Sequence, residues 1–186
     1  DLSNQSKEGV NKADEYWELW NLVFIQNERL ADGSLINLSQ SHVDTGAGLE
    51  RITSVIQGKT SNYETDLFQP IIKELESSSE CKYADNPVPF QVIADHIRML
   101  CFSIADGALP SNEGRGYVLR RILRRASRFG RVLKLEKPFL HKIVPSVCNL
   151  MGDAYPELKE KSIHIKLVIG TEETLFNQTL DRGITH

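Results

Sequence analysis

The stretch from Arg115 to Arg131, RGYVLRRILRRASRFGR, constrains the chain more than any other. It holds seven arginines (Arg115, Arg120, Arg121, Arg124, Arg125, Arg128 and Arg131) and neither an acid nor a lysine. At ~100° per residue, the last six fall within an arc of about 140°. Val118, Phe129, Ile122, Ala126, Leu119 and Leu123 fill the opposite side. The pattern predicts an amphipathic helix from about Arg115 to Gly130 with a guanidinium face. Arginines four apart repel by ~0.2–0.5 kcal/mol a pair, and no acid interleaves to relieve them. Two readings stand. The face contacts a polyanion, for which planar bidentate guanidinium suits phosphate, or it pairs with acids of neighbouring helices. Phosphate contact is the favoured of the two.

Charge sharpens this. The net charge of the chain is −3, and the seven arginines leave the remainder at −10. An acidic body with one basic element suits a localised contact rather than a generally adhesive surface. The content, 40% hydrophobic and 25% charged, is that of a globular protein. No uninterrupted apolar run approaches the ~20 residues of a membrane span, so no membrane partner is expected. The N-terminal stretch DLSNQSKEGVNKADEYW is too polar for a signal peptide, and a start at Asp1 rather than Met suggests a piece of a longer protein. Cys81, Cys101 and Cys148 are odd in number and far apart, which points to a reducing, cytoplasmic setting. No Cys-x-x-Cys or His-x-x-x-His spacing suggests a metal or zinc site.

The pattern changes near residue 60. Before it, WNLVFIQ (20–26), the Asp-Gly turn in ADGSLINL (31–38) and SHVDTG (41–46) predict two or three antiparallel strands, then a helix from about Leu49 to Gln57. After it, helices are predicted over 63–77, with Pro70 a kink or an early-turn residue, 91–107, 115–130, 139–153 and 158–183. Residues 77–90 read as a loop, 108–114 as a connector, and Gly107 as the end of its helix. The fold class is α+β: residues 1–60 carry the strands and residues 61–186 are all helical.

Within HVDTGAGLERI (42–52), Gly46 and Gly48 let backbone approach a ligand with no Cβ in the way. Arg51 follows on the first turn of a helix, where the dipole favours anions. Asp44 is a partner for an ammonium. Locally, a turn capped by Asp44 or Thr45 explains the segment better, and a lone Gly-x-Gly is weak. It is neither a Walker A loop nor a dinucleotide fingerprint. In LPSNEGRG (109–116), Ser111 and Asn112 are good N-cap residues, and Asn112 also suits contact with a groove.

Taken in order, EYWELWNLVFIQ, HVDTGAGLERI, SNYETDLFQPII, VIADHIRML, ADGALPSNEGRGYVLRRILRRASRFG, MGDAYPEL and TLDRG closely resemble the alanyl-tRNA synthetases, which are class II aminoacyl-tRNA synthetases. The resemblance covers nearly the whole chain. It implies that residues 1–60 end a class II core, with GAGLER as motif 3, and that residues 61–186 belong to a helical tRNA-recognition region. By that match Arg51 contacts ATP in the catalytic step, Gly48 lies beside ATP, and Glu18 lies near Mg²⁺–ATP. Asn21, Asp44 and Gly46 line the alanine pocket, with Asp44 on the ammonium.

The implied chemistry is attack of the alanine carboxylate on the ATP α-phosphorus, then transfer to the terminal ribose of tRNA(Ala). Such catalysis consists mostly of positioning and charge neutralisation. Asn112 matches the asparagine that reads a G·U wobble pair in the acceptor stem. Arg115, Arg120, Arg121, Arg124, Arg125 and Arg128 would follow its phosphates. ATP and Mg²⁺ are the implied cosubstrate and ion. Ala47 replaces the methionine usual in motif 3, and FIQNERL lacks the aromatic usual before its asparagine. The resemblance makes the chain a central section of such an enzyme, inactive alone, with motifs 1 and 2 upstream and an aspartate partner of Asn112 downstream. The alternative is a non-catalytic RNA-binding module that reuses the helical part.

Overall fold

A computed structural model describes residues 16–184. The chain divides between Asn62 and Tyr63 into two compact units.

In the first unit, β1 (Trp20–Arg29) and β2 (Leu35–Ala47) form an antiparallel hairpin. The Asp-Gly turn is built from its own side chains. Asp32 Oδ1 accepts from the backbone amide of Ser34 at 2.9 Å and from its hydroxyl at 2.6 Å. Gly33 takes φ 86°, a left-handed conformation open to glycine. Pairing runs from Trp20↔Ala47 to Ile25↔His42, shifts register, and resumes from Asn27↔Asn37 to Arg29↔Leu35. Two expected stretches, 31–38 and 41–46, thus merge into one long strand. The helix α1 (Leu49–Ile56) follows at once. Its N-cap is Gly48, with no capping side chain. Asp44 and Thr45 lie inside β2, so the capped-turn expectation fails for both: residues paired in a ladder are not free to cap.

The second unit contains α2 (Gln69–Ser78), α3 (Pro87–Ala105), α4 (Gly114–Val132), α5 (Leu140–Met151), α6 (Pro156–Glu160) and α7 (Ser162–Ile184). The helix α3 packs against α2, α4, α5, α6 and α7. Its stripe Ile93, Ile97, Leu100, Cys101 and Ile104 is buried with Ile71, Leu75, Leu123, Leu140 and Ile143. Each such side chain contributes about 1.5–3 kcal/mol relative to exposure. Among the described residues α3 alone is long and apolar enough to cross a membrane, and 56% of that span is buried inside the fold. It is not an uninterrupted apolar run, since Gln91, Asp95, His96 and Arg98 lie within it. Its apolar length is the signature of a helix surrounded by others.

Three boundaries differ from expectation. Residues 62–64 form a 3-10 turn, so α2 starts only at Gln69, with Pro70 in its first turn. The helix α3 begins at Pro87 inside the expected loop. Pro87 and Pro89 occupy its first turn, where a missing N–H costs nothing. The last expected helix breaks at Lys161 into α6 and α7. There Lys161 Nζ donates to the Ala105 carbonyl at the end of α3, at 2.6 Å.

Candidate functional site

Each unit carries a candidate site, and each is described within its own unit.

In the hairpin, Asn21 pairs with Gly46 and Val23 with Asp44. Alternation along strands puts Asn21, Asp44 and Gly46 on one face. Just before β1, Glu18 Oε1 accepts from Asn21 Nδ2 at 3.2 Å. Arg51, in the first turn of α1, donates through Nη1 to the Glu18 carbonyl at 2.7 Å. The Gly48 amide donates to the Leu19 carbonyl at 3.1 Å. All the predicted residues of this part (Glu18, Asn21, Asp44, Gly46, Gly48 and Arg51) therefore gather on the hairpin and the helix it launches.

Neither glycine is demanded by local conformation. Both lie outside the left-handed region, and a Cβ at Gly46 would stand 3.5 Å from Asn21 Oδ1, an ordinary contact. The open space over Asn21 is thus not needed by the strand pairing. The exposed carboxylate of Asp44, the amide of Asn21 and the guanidinium of Arg51 offer an acid, a neutral donor–acceptor and a cation on a small scaffold. That set suits a ligand bearing both an ammonium and phosphates. A Mg²⁺ ion on a nucleotide usually takes one or two protein carboxylates, with phosphate and water oxygens completing its shell. Glu18, using Oε1 for Asn21, fits as a single such carboxylate. Among the described residues no group of three or more His, Cys, Asp or Glu is arranged to hold a metal ion.

In the helical unit, α4 divides into three faces rather than the expected two. Leu119, Leu123, Ala126, Ser127 and Gly130 are buried. Arg115, Arg121, Arg125 and Arg128 are exposed. Between them Arg120 and Arg124 turn to Glu172 on α7. Arg120 Nε lies 2.8 Å from Glu172 Oε1, and its Nη2 donates to Oε2 at 3.1 Å. Arg124 Nη2 lies 3.3 Å from Oε1. The Glu172 side chain is only 8% exposed. The continuous guanidinium face is therefore corrected: for two arginines the structural pairing holds, since a buried carboxylate needs compensating charge.

Val118, placed on the core side by the helical wheel, is exposed instead. Together with Ile122, Phe129, Val132 and Phe176 it forms the apolar part of an open groove of about 890 Å³. Arg121, Arg124, Arg125 and Arg128 complete its lining. The guanidinium of Arg121 lies 5.8 Å from the Tyr117 ring centre and that of Arg125 lies 5.9 Å from Phe129. Such contacts hold long side chains in place without neutralising them.

Asn112 is exposed just before α4. The N-cap is Glu113 with no side-chain cap, so neither Ser111 nor Asn112 caps the helix. The Ser111 hydroxyl donates to the Glu113 carbonyl at 2.9 Å, and Asn112 Oδ1 accepts from Arg120 Nη1. Gly116 permits this tight approach, because a Cβ there would overlap Ser111 and the Leu109 carbonyl. Sequence reasoning missed Glu172, the acid that organises this end of α4. Its local signal is no more than the Glu172–Glu173 pair within a helix of mixed composition, and nothing local ties it to Arg120, 52 residues away.

A glycine-marked hairpin thus feeds an arginine-bearing helix, and a helical unit with a basic edge follows. The chain belongs to the class II (A) tRNA synthetases, whose family model matches residues 2–186. Its relatives are more particular. It is 54% identical over 178 residues to an alanine–tRNA ligase of Magnetococcus marinus, covering 93% of this chain and 20% of that protein. It is 51% identical over 174 residues to that of Listeria innocua and 52% identical over 175 to that of Staphylococcus epidermidis, each covering 92% of this chain. The chain spans about a fifth of the length of these curated relatives.

Proposed function

We propose that this chain is a section of an alanine–tRNA ligase that activates alanine with ATP and transfers it to tRNA(Ala). The observation that carries this reading is the shared hairpin face of Asn21, Asp44 and Gly46, with Arg51 tied to Glu18 at its edge. Asp44 holds the alanine ammonium. Asn21 lines the pocket, and its amide is oriented by Glu18. Gly46 keeps the floor low, so that backbone rather than a side chain meets the small substrate. Arg51 and the Gly48 turn receive the triphosphate, where a helix N-terminus adds to the positive field. Glu18 helps hold Mg²⁺, which supplies charge neutralisation on the phosphates.

In the same reading, residues 1–60 complete an aminoacylation core and residues 61–186 contribute recognition of the tRNA acceptor stem. Arg115, Arg121, Arg125 and Arg128 contact phosphates, and Asn112 reads a G·U wobble pair in the shallow minor groove. Arg120 and Arg124 serve this surface through their pairing with Glu172. The three unpaired cysteines suit a cytoplasmic setting.

Alanine-dependent ATP–pyrophosphate exchange by the full-length protein tests the reading. Asp44→Asn and Arg51→Ala should each lower kcat/KM by about 10²-fold or more, and the 186-residue chain alone should show no exchange. Exchange unaffected by both substitutions would overturn it. Full RNA binding without any exchange in the full-length protein would favour the RNA-binding module instead.

A further inference from the structure

We propose that Glu172 and Arg120 form a brace that presents Asn112 to RNA as a hydrogen-bond donor, which makes both of them positioning residues for recognition. This rests on the RNA-contacting reading of the helical unit.

The brace is read from three donor positions on one guanidinium. Arg120 turns one edge to Glu172, with Nε 2.8 Å from Oε1 and Nη2 3.1 Å from Oε2. Nη2 makes the hydrogen bond, and Nε adds an ion-pair contact without hydrogen-bond geometry; together they orient the guanidinium against a buried carboxylate. The remaining terminal nitrogen, Nη1, is thereby aimed at Asn112. A guanidinium donates and never accepts, so the amide atom facing it is Oδ1. The Nδ2 group lies on the other side of the amide, at an exposed residue. Asn112 thus meets an incoming ligand with N–H bonds. Minor-groove base edges offer N3 and O2 acceptors, and A-form RNA adds ribose 2′-oxygens.

Arg124 reinforces the brace. It shares Glu172 Oε1 at 3.3 Å and lies 5.2 Å over the Phe176 ring. Two arginines on one carboxylate leave positive charge beside the loop, so Asn112 stands in a field that draws phosphate toward it. Lysine at position 120 would keep the charge and lose the fork, because an ammonium is a single point of attachment. Glutamine at position 172 would keep the shape and one acceptor and lose the charge that aligns two arginines. Neither substitution touches RNA directly, and a change in what RNA is preferred would have to pass through Asn112.

The test is a double-mutant cycle in the full-length protein. Binding is measured to an RNA hairpin carrying a G·U pair in its stem and to the same hairpin carrying G·C. The readout is the ratio of the two Kd values. Glu172→Gln and Arg120→Lys should each reduce that ratio about tenfold. Neither should reduce it further once Asn112→Ala is present. Glu172→Gln should leave alanine-dependent pyrophosphate exchange unchanged, and Arg120→Lys serves as the charge-conserving check should Glu172→Gln lower the melting temperature. An unchanged ratio when either substitution is made with Asn112 intact, or equal losses with and without Asn112, overturns the brace while the RNA-contacting reading stands. A ratio unaffected by Asn112→Ala alone overturns the role of Asn112, and the brace with it.

Discussion

The Glu173 carboxylate on α7 accepts the backbone amide of Leu140, the first residue of α5, at 3.0 Å. Its Oε2 also accepts the Phe139 amide at 3.1 Å. The helix α7 thus caps the N-terminus of α5 through an acid more than 30 residues away in the chain, satisfying amides that an N-terminus leaves open.

Burial raises the Glu173 carboxyl from its ordinary 4.5 to about 7, although the two amides pull it down. In the unfolded chain it ionises near 4.5, and in the folded chain near 7. The folded state therefore binds the extra proton between these values. The associated stability is fully present below 4.5 and is lost as pH rises through about 7. The effect is on the order of 3 kcal/mol at most, at about 1.4 kcal/mol per unit. Urea unfolding of the helical unit between pH 4 and 8 should show this slope, and Glu173→Gln should flatten it. A Gln variant with the wild-type slope would assign the pH dependence to other groups.

Gly130 on α4 lies against the Phe139 ring, whose Cδ1 is 3.2 Å from where a Cβ would stand, with two ring atoms closer still. Both flanking chains are buried, so neither yields cheaply. Gly130→Ala should cost about 1–3 kcal/mol despite the better helix propensity of alanine. A melting temperature at or above that of the wild type would show that the ring can move.

Arg121 and Arg125 stand on the exposed side of α4, each over a ring of its own helix and neither paired with an acid among the described residues. If this face contacts RNA as proposed, charge reversal of either should weaken RNA binding and flatten its dependence on salt by about one unit on the log–log slope. Arg124→Glu should behave differently and lower stability first, because it sets an acid against Glu172. Equal effects at 121 and 124 on both stability and salt slope would contradict this division of the arginines.

The thiols should separate by burial. Cys101 is fully buried, and burial pushes its thiol far above the ordinary range, with Cys148 nearby adding to the shift. Cys148 also donates to the Leu158 carbonyl at 3.2 Å. Cys81 is only half-buried. Since the thiolate is the reactive form, iodoacetamide should modify the Cys81 peptide in the native protein, and those of Cys101 and Cys148 only after denaturation. Early labelling of Cys101 would mean that α3 opens readily.

Much of this was legible in the sequence because it is local. The Asp-Gly turn, the strand-to-helix passage at Gly48, the stripe of α3 and the apolar side of α4 follow from residues within a turn or two of one another. The start of α3 was not, because prolines that break a helix inside it are favoured in its first turn. A hairpin and one turn suffice to bring Asn21 to Gly46 and Glu18 to Arg51, but those residues were singled out by the family resemblance, since the local pattern at Gly46 and Gly48 favoured a capped turn.

What the sequence by itself determined is most of the helices, the hairpin, the family, and the fact that seven arginines line one helix. What only the tertiary structure decided is what those arginines do. A helical wheel assigns direction and not neighbours, so Arg120 and Arg128 look alike on it. The packing of α7 beside α4 placed one buried carboxylate within reach of Arg120 and Arg124 and left Arg115, Arg121, Arg125 and Arg128 to solvent. Charge paired across 52 residues is set by the fold, because a buried carboxylate needs compensating charge from whatever packs beside it.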